Sequence, residues 1–184
     1  MILPVVTYGH PILRQKGARV EKVTPQIKQL IKDLLDTMYA AAGVGLAAQQ
    51  VGHALQLTVI DVREIKDRPS TLQFHGQPAD INAFMPLVLM NPEIVPVAPP
   101  VAGPEGCLSF PEIYADIARP ESVDVVALGE NGQRLEFRCG GLLARAVQHE
   151  TDHLQGILFI DRMNPETKKE LKPQLEELRR RNRN

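Results

Sequence analysis

From Gln148 to Gly156 the chain reads QHETDHLQG, with two histidines four residues apart and a glutamate directly after the first. On a helix of about 3.6 residues per turn, His149 and His153 project from adjacent turns of one face and can grip a single divalent cation. Glu150 projects from the neighbouring stripe. That places it near such a cation but turned aside, which suits moving protons better than binding metal. Apolar surroundings would raise its pKa, as a general acid–base group working near neutral pH requires. The chemistry implied is metal-assisted hydrolysis. The competing reading is a core helix with two hydrogen-bonded histidines and a surface glutamate.

Helical periodicity weighs between the two. Leu142, Ala146, His149 and His153 form one stripe, and Leu143, Val147, Glu150 and Leu154 form the stripe beside it. Arg145, Gln148, Asp152 and Gln155 fall on the opposite side, which reads as the outward polar face. Imidazoles and a carboxylate among Leu, Val and Ala would cost several kcal/mol unless something satisfies them, and a cation does so. A catalytic site of this kind takes three protein ligands and leaves one position for water. The metzincin pattern would need a third histidine where Phe159 stands, so that class fails. A downstream glutamate (Glu166, Glu170, Glu176 or Glu177) would give a thermolysin-like endopeptidase. Cys107 is the more attractive third ligand, because glycine and proline fix a tight turn around one thiol in GPEGCLSFP, residues 103–111. Cys107 could also act as the nucleophile of a metal-independent thiol hydrolase, with His149 as base. Cys139 reads as a small buried hydrophobe.

Several elements must position these groups. Thr24-Pro25 opens a helix, Ile27, Leu30, Ile31, Leu34, Leu35 and Met38 recur at helical spacing, and Gly43 is a stop. Residues 57–62 and 87–90 read as strands, and the polar stretch 64–85 between them as a long surface loop. Residues 123–128 and 133–138 flank Glu130-Asn131-Gly132, a strong hairpin signal. Helices are expected from about 141 to 156 and from about 165 to 181. The expectation is a single α+β domain over residues 1–184. Mixed or antiparallel sheets pack around the central histidine-bearing helix, and a further helix ends the chain.

Composition sets the frame. The 184 residues are 43% hydrophobic and 23% charged, the balance of a globular domain. A formal net charge of −1 gives no global field for nucleic acid, and no specific nucleic-acid partner is expected. The exception is RRRNRN, which puts four arginines in the last six residues. No apolar run approaches the roughly 20 residues that cross a bilayer, so no membrane partner is expected. Two cysteines alone argue against a disulfide framework. The expected location is cytoplasmic, or organellar if a presequence was removed.

Three segments together resemble the peptide deformylase family: GVGLAAQQ (43–50), EGCLS (105–109) and QHETDH (148–153). Their order and spacing also fit, and the resemblance runs from near the N-terminus through the third helix. It implies that Cys107, His149 and His153 bind the metal, ferrous iron in the cell with Zn(2+), Ni(2+) or Co(2+) as substitutes. It implies hydrolysis of the N-formyl group from the initiating methionine of new polypeptides, releasing formate. A metal-bound water would attack the formyl carbon with Glu150 as general acid–base, and the Gln50 amide and the Leu108 N–H would stabilise the oxyanion. Gly45 would bind substrate backbone, while Val44, Leu142, Ala146 and part of His149 would line the methionine pocket. Glu105 would brace the site, and Arg119 resembles an arginine near the substrate entrance. Tyr114 stands where many relatives carry an arginine at the mouth. Relatives can dock on the ribosome through their C-terminal helix, a role the basic tail would suit.

Overall fold

The computed structural model describes residues 1–182, so Arg183 and Asn184 of the arginine-rich end lie outside the described residues. In chain order the elements are α1 (Pro25–Ala40), β1 (Gly45–Ala47), β2 (Leu57–Ile60), β3 (Ser70–Phe74), β4 (Gln77–Pro78) and α2 (Ile81–Phe84). Next come β5 (Leu87–Pro96), β6 (Pro100–Cys107), β7 (Phe110–Pro120), β8 (Ser122–Leu128), β9 (Arg134–Gly140), α3 (Gly141–Leu154) and α4 (Pro165–Arg181). Seven strands form one antiparallel sheet in the order β1-β2-β5-β8-β9-β3-β4, and β6 and β7 form a second, two-stranded sheet. This is the expected α+β arrangement, with α3 in contact with strands of both sheets.

Local chemistry explains the helix limits. Thr24 Oγ1 accepts the Ile27 N–H and Pro25 opens α1. The helix stops through a Schellman arrangement in which Gly43 N–H reaches the Met38 carbonyl and Ala42 N–H reaches that of Tyr39. The left-handed position belongs to Ala42 (φ 54°), not to Gly43. Gly43 serves a different need, since a Cβ there would meet Leu108 Cδ1 at 2.9 Å. Helix α4 is capped by Asn164, whose Oδ1 accepts the Thr167 N–H ahead of Pro165, and it buries Leu175 and Leu178.

The stretch 64–85 is not a surface loop. It builds β3, β4 and α2, and β3 joins the main sheet against β9. His75 and Gly76, both at positive φ, make the tight β3–β4 turn. Phe74 and Phe84 then pack edge-on and together cover Phe137 of β9. Polar composition concealed this segment because only one side of it is buried.

Three apolar clusters hold the elements. Leu142, Leu143, Ala144 and Val147 of α3 pack on β5, β8 and β9. On the far side of the molecule, α1 packs on β1, β2 and β5. Phe110, Ile113 and Ile117 of β7 join Leu158, Phe159, Leu175 and Leu178. Each fully buried Leu or Phe contributes about 1.5–3 kcal/mol relative to an exposed one. Helix α3 therefore has neighbours all round, and 12 of its 14 residues are buried. The face expected outward is covered too: Arg145, Gln148 and Asp152 are buried, and of that set only Gln155 is exposed. The reason is that β6 and β7 cover this side with backbone carbonyls and buried charges, which polar side chains satisfy. Among the described residues, no helix is long and apolar enough to cross a membrane.

Candidate active site

Helix α3 presents His149 and His153 with ring centroids 5.0 Å apart. The β6–β7 turn brings Cys107 to the same point, its Sγ 3.4 Å from His153 Nε2. The ligand atoms of Cys107, His149 and His153 all lie within 4.8 Å of one another. Among the described residues this is the only such cluster of metal-ligating side chains, so no α4 glutamate supplies a third ligand. The 3.4 Å separation is close to the edge of a tetrahedron with bonds of about 2.0–2.3 Å, and one thiol with two imidazoles is a donor set for Zn(2+) or Fe(2+). These residues fit a divalent cation.

Electrostatics around the trio is arranged from below. His149 Nδ1 donates to Glu105 Oε1 at 2.8 Å, which leaves Nε2 for the cation. Burial alone would raise the Glu105 pKa, but hydrogen bonds from His149 and Arg119 outweigh it and hold the carboxyl at about 2. Burial would pull His149 down, yet its bonds to Cys107 and Glu105 push it above the ordinary histidine value. Burial and the neighbouring His149 lower His153 well below that value. Two buried imidazoles and one cysteine sulfur converge at this point, a donor set that a divalent cation can satisfy together.

Glu150 is 4% exposed, and burial raises its pKa to about 7. Thr58 Oγ1 approaches Glu150 Oε2 at 3.4 Å while donating to the Leu46 carbonyl at 2.9 Å. Gly45 sits directly against this carboxylate, and a Cβ there would lie 2.5 Å from Glu150 Oε1. That close approach is why the strand carries glycine at this point.

A cavity of about 520 Å³ opens onto Cys107 and His149, and His153 is buried beside them, off the lining. It is lined by Val44, Gly45, Gln50, Glu105, Cys107, Leu108, Leu142, Ala146, His149 and Glu150, so the three matched segments meet in one space. The Gln50 amide points at the thiol, with Nε2 3.5 Å from Cys107 Sγ. Tyr114 stands at the rim, 71% exposed, its ring packed over Gly106.

Arg119 is elsewhere. Expected near the substrate entrance, it is instead 3% exposed and ion-paired to Glu105 (2.6 Å) and Asp152 (2.9 Å) behind the histidines. Its guanidinium is held by two acids, so it orders Glu105 and does not line the cavity. Arg145 was missed as a site residue. Its guanidinium donates to Glu105 Oε2 at 2.9 Å and to the carbonyls of Val101 and Ile117. Nothing in the α3 periodicity separates it from a solvated arginine. The approach of its guanidinium to Gly103, 2.9 Å from where a Cβ would stand, is the one local trace.

Known proteins resemble this chain in sequence and fold. The polypeptide deformylase family profile matches residues 2–169. The peptide deformylase of Methylacidiphilum infernorum is 46% identical over 180 residues, covering 98% of this chain and 94% of that one. That of Opitutus terrae is 43% identical over 170 residues, covering 91% and 88%. Among solved structures, a peptide deformylase from Legionella pneumophila superposes with a TM-score of 0.80 at 36% identity, covering 98% of this chain and 96% of that one. One from Synechococcus elongatus in complex with actinonin gives 0.79 at 39% identity, covering 94% and 85%. Family profile, sequence identity over nearly the whole length and superposition agree with the geometry of the cavity: the chain belongs to the polypeptide deformylase family, metalloenzymes that remove formyl groups.

Proposed function

We propose that the chain hydrolyses the N-formyl group of peptides that begin with formyl-methionine and releases formate. The observation that carries this reading is the cluster of Cys107, His149 and His153, whose first two members line one cavity with Gln50 and Glu150. Cys107 Sγ and the two Nε2 atoms hold a divalent cation, ferrous iron in the cell with zinc, nickel or cobalt as replacements. When bound, it supplies Lewis-acid chemistry and lowers the pKa of water toward roughly 7. The Glu150 carboxylate takes the proton of the attacking water and returns it to the departing amine nitrogen. Its raised pKa suits a group that must hold the proton between the two events. The Gln50 Nε2–H and the Leu108 N–H donate to the formyl oxygen as negative charge develops on it, and losing one such donor costs about 2.7–4 kcal/mol of barrier.

Val44, Leu142 and Ala146 give the cavity an apolar wall against which a methionine side chain packs. Gly45 lets the substrate backbone approach, and Glu105, held by Arg119 and Arg145, keeps His149 in the ligating tautomer. The cytoplasm, where formylated nascent chains emerge, is the proposed location. Arg179, Arg180 and Arg181 give the last turn of α4 a positive end suited to ribosomal RNA phosphates. Binding in a ribosome co-sedimentation assay at moderate salt that is unchanged by deleting residues 173–184 would remove that docking role.

The decisive experiment uses anaerobically purified, metal-analysed protein with formyl-Met-Ala-Ser. Formate is expected from the wild type. Glu150→Ala should retain metal and lose at least about 10²-fold in kcat. Cleavage of an internal peptide bond, or turnover that survives chelation, would overturn the assignment.

A further inference from the structure

Ser109 is completely buried and sits one residue beyond Leu108 in the β6–β7 turn. Its hydroxyl has two partners. Oγ donates to the Val6 carbonyl at 2.8 Å and accepts from Gln50 Nε2 at 3.0 Å. A hydroxyl has one hydrogen, so once that hydrogen goes to Val6 the bond to Gln50 can only be accepted. At the other end of the same amide, Gln50 Oε1 accepts the Ala47 N–H at 2.9 Å. Flipping the amide would set Nε2 against the Ala47 N–H and Oε1 against the Ser109 lone pair. Both contacts would be repulsive, between groups that are all buried (Gln50 is 1% exposed, Ala47 and Ser109 0%). The amide has one allowed orientation. One Nε2 hydrogen is used by Ser109, and the second is left aimed at the Cys107 side of the cavity.

The N-terminal segment locks this arrangement. Val6 N–H donates to the Gln50 carbonyl at 2.8 Å and Tyr8 N–H donates to the Ser109 carbonyl at 2.9 Å. Residues 6–8 thus form a strap that ties the short 3-10 helix Ala48–Val51, which carries Gln50, to the turn that carries Ser109.

We propose that Ser109 is a positioning residue for the reaction: with the strap it fixes which Gln50 hydrogen faces the formyl oxygen. The inference rests on the oxyanion role given to Gln50 above. Without the hydroxyl the amide keeps only its Ala47 anchor and can swing, so the donor is present but no longer preorganised.

The test is a double-mutant cycle on metal-loaded protein with formyl-Met-Ala-Ser. Ser109→Ala is expected to lower kcat about tenfold with KM within about twofold, a fraction of the roughly 10²–10³ expected for losing an oxyanion donor outright. In a Gln50→Ala background the same substitution should lower kcat by less than about twofold, because nothing remains to position. Equal fold-losses in the two backgrounds, or no loss in either, would overturn the proposal. Thermal unfolding of each variant separates loss of fold from loss of turnover. If Ser109→Ala does not fold, Ser109→Cys keeps the volume, weakens the acceptor and is read in the same way. Absence of formate from the wild type would instead sink the deformylase reading, a distinct result.

Discussion

Gly45 and Glu150 show how a single missing side chain shapes the chemistry. The glycine α-carbon is the wall against which the carboxylate rests, and an added Cβ would intrude to 2.5 Å from Oε1. Glu150 is only 4% exposed, so its carboxylate has little room to step aside. Gly45→Ala is therefore expected to lower kcat by about 10- to 100-fold and to destabilise the protein by about 1–3 kcal/mol. Formate assays and denaturant titration would check both, and wild-type turnover in that variant would refute the contact. The pair His149 and His153, Glu150 and Cys107 were legible in the residues themselves, because HExxH spacing and an isolated thiol in a Gly-Pro turn leave a chemical pattern. Gln50, Leu108, Val44, Gly45 and Glu105 entered only through the family resemblance. What could not be read was which polar residues stand behind them. Arg119 and Arg145 look like any surface arginines until a second sheet covers them, and Ser109 looks like any turn serine.

At the scale of elements, legibility followed apolar periodicity. Helices α1, α3 and α4 and the β8–β9 hairpin carry continuous apolar repeats, and their places agree with expectation to within a few residues. Strands β6 and β7 went unread for a physical reason. Along β7 the inward positions run Phe110, Ile113, Ala115, Ile117 and Arg119, so a charge ends the apolar alternation where the strand passes over a buried ionic network. Contacts between elements also carry a testable pH dependence. Asp61, just after β2, accepts hydrogen bonds from Tyr39 OH of α1 at 2.6 Å and from Arg63 Nη2 at 2.6 Å. Burial alone would raise its pKa, but the bonds from Arg63 and Tyr39 outweigh it and hold the carboxyl below its ordinary 3.8. A carboxylate depressed on folding adds stability above its unfolded pKa and loses it as pH falls through the folded value. The stability gap between wild type and Asp61→Asn should thus be full at about pH 6 and narrow below about pH 4. A gap that widens on acidification would contradict the assignment.

Across the whole molecule, the candidate ligands come from distant parts of the chain, with Cys107 in one sheet and the histidines on helix α3. A cation that binds only when these parts are assembled stabilises the folded state by mass action, by about 2.7 kcal/mol when present at 100 times its dissociation constant. Removing it with a chelator should lower the unfolding temperature, and restoring Zn(2+) should recover it. The same treatment of Cys107→Ser should produce a much smaller shift, and equal shifts in both proteins would place the cation elsewhere.

The encasement of α3 has a mechanical corollary. A helix gripped on one side by leucines and on the other by Arg119, Arg145 and their acids has no lubricated surface along which to rock. The floor of the cavity is consequently stiff, and whatever give is needed to admit a peptide falls to the rim. There Ala42 and Glu112 already hold left-handed backbone, and Tyr114 leans into solvent as a movable jamb.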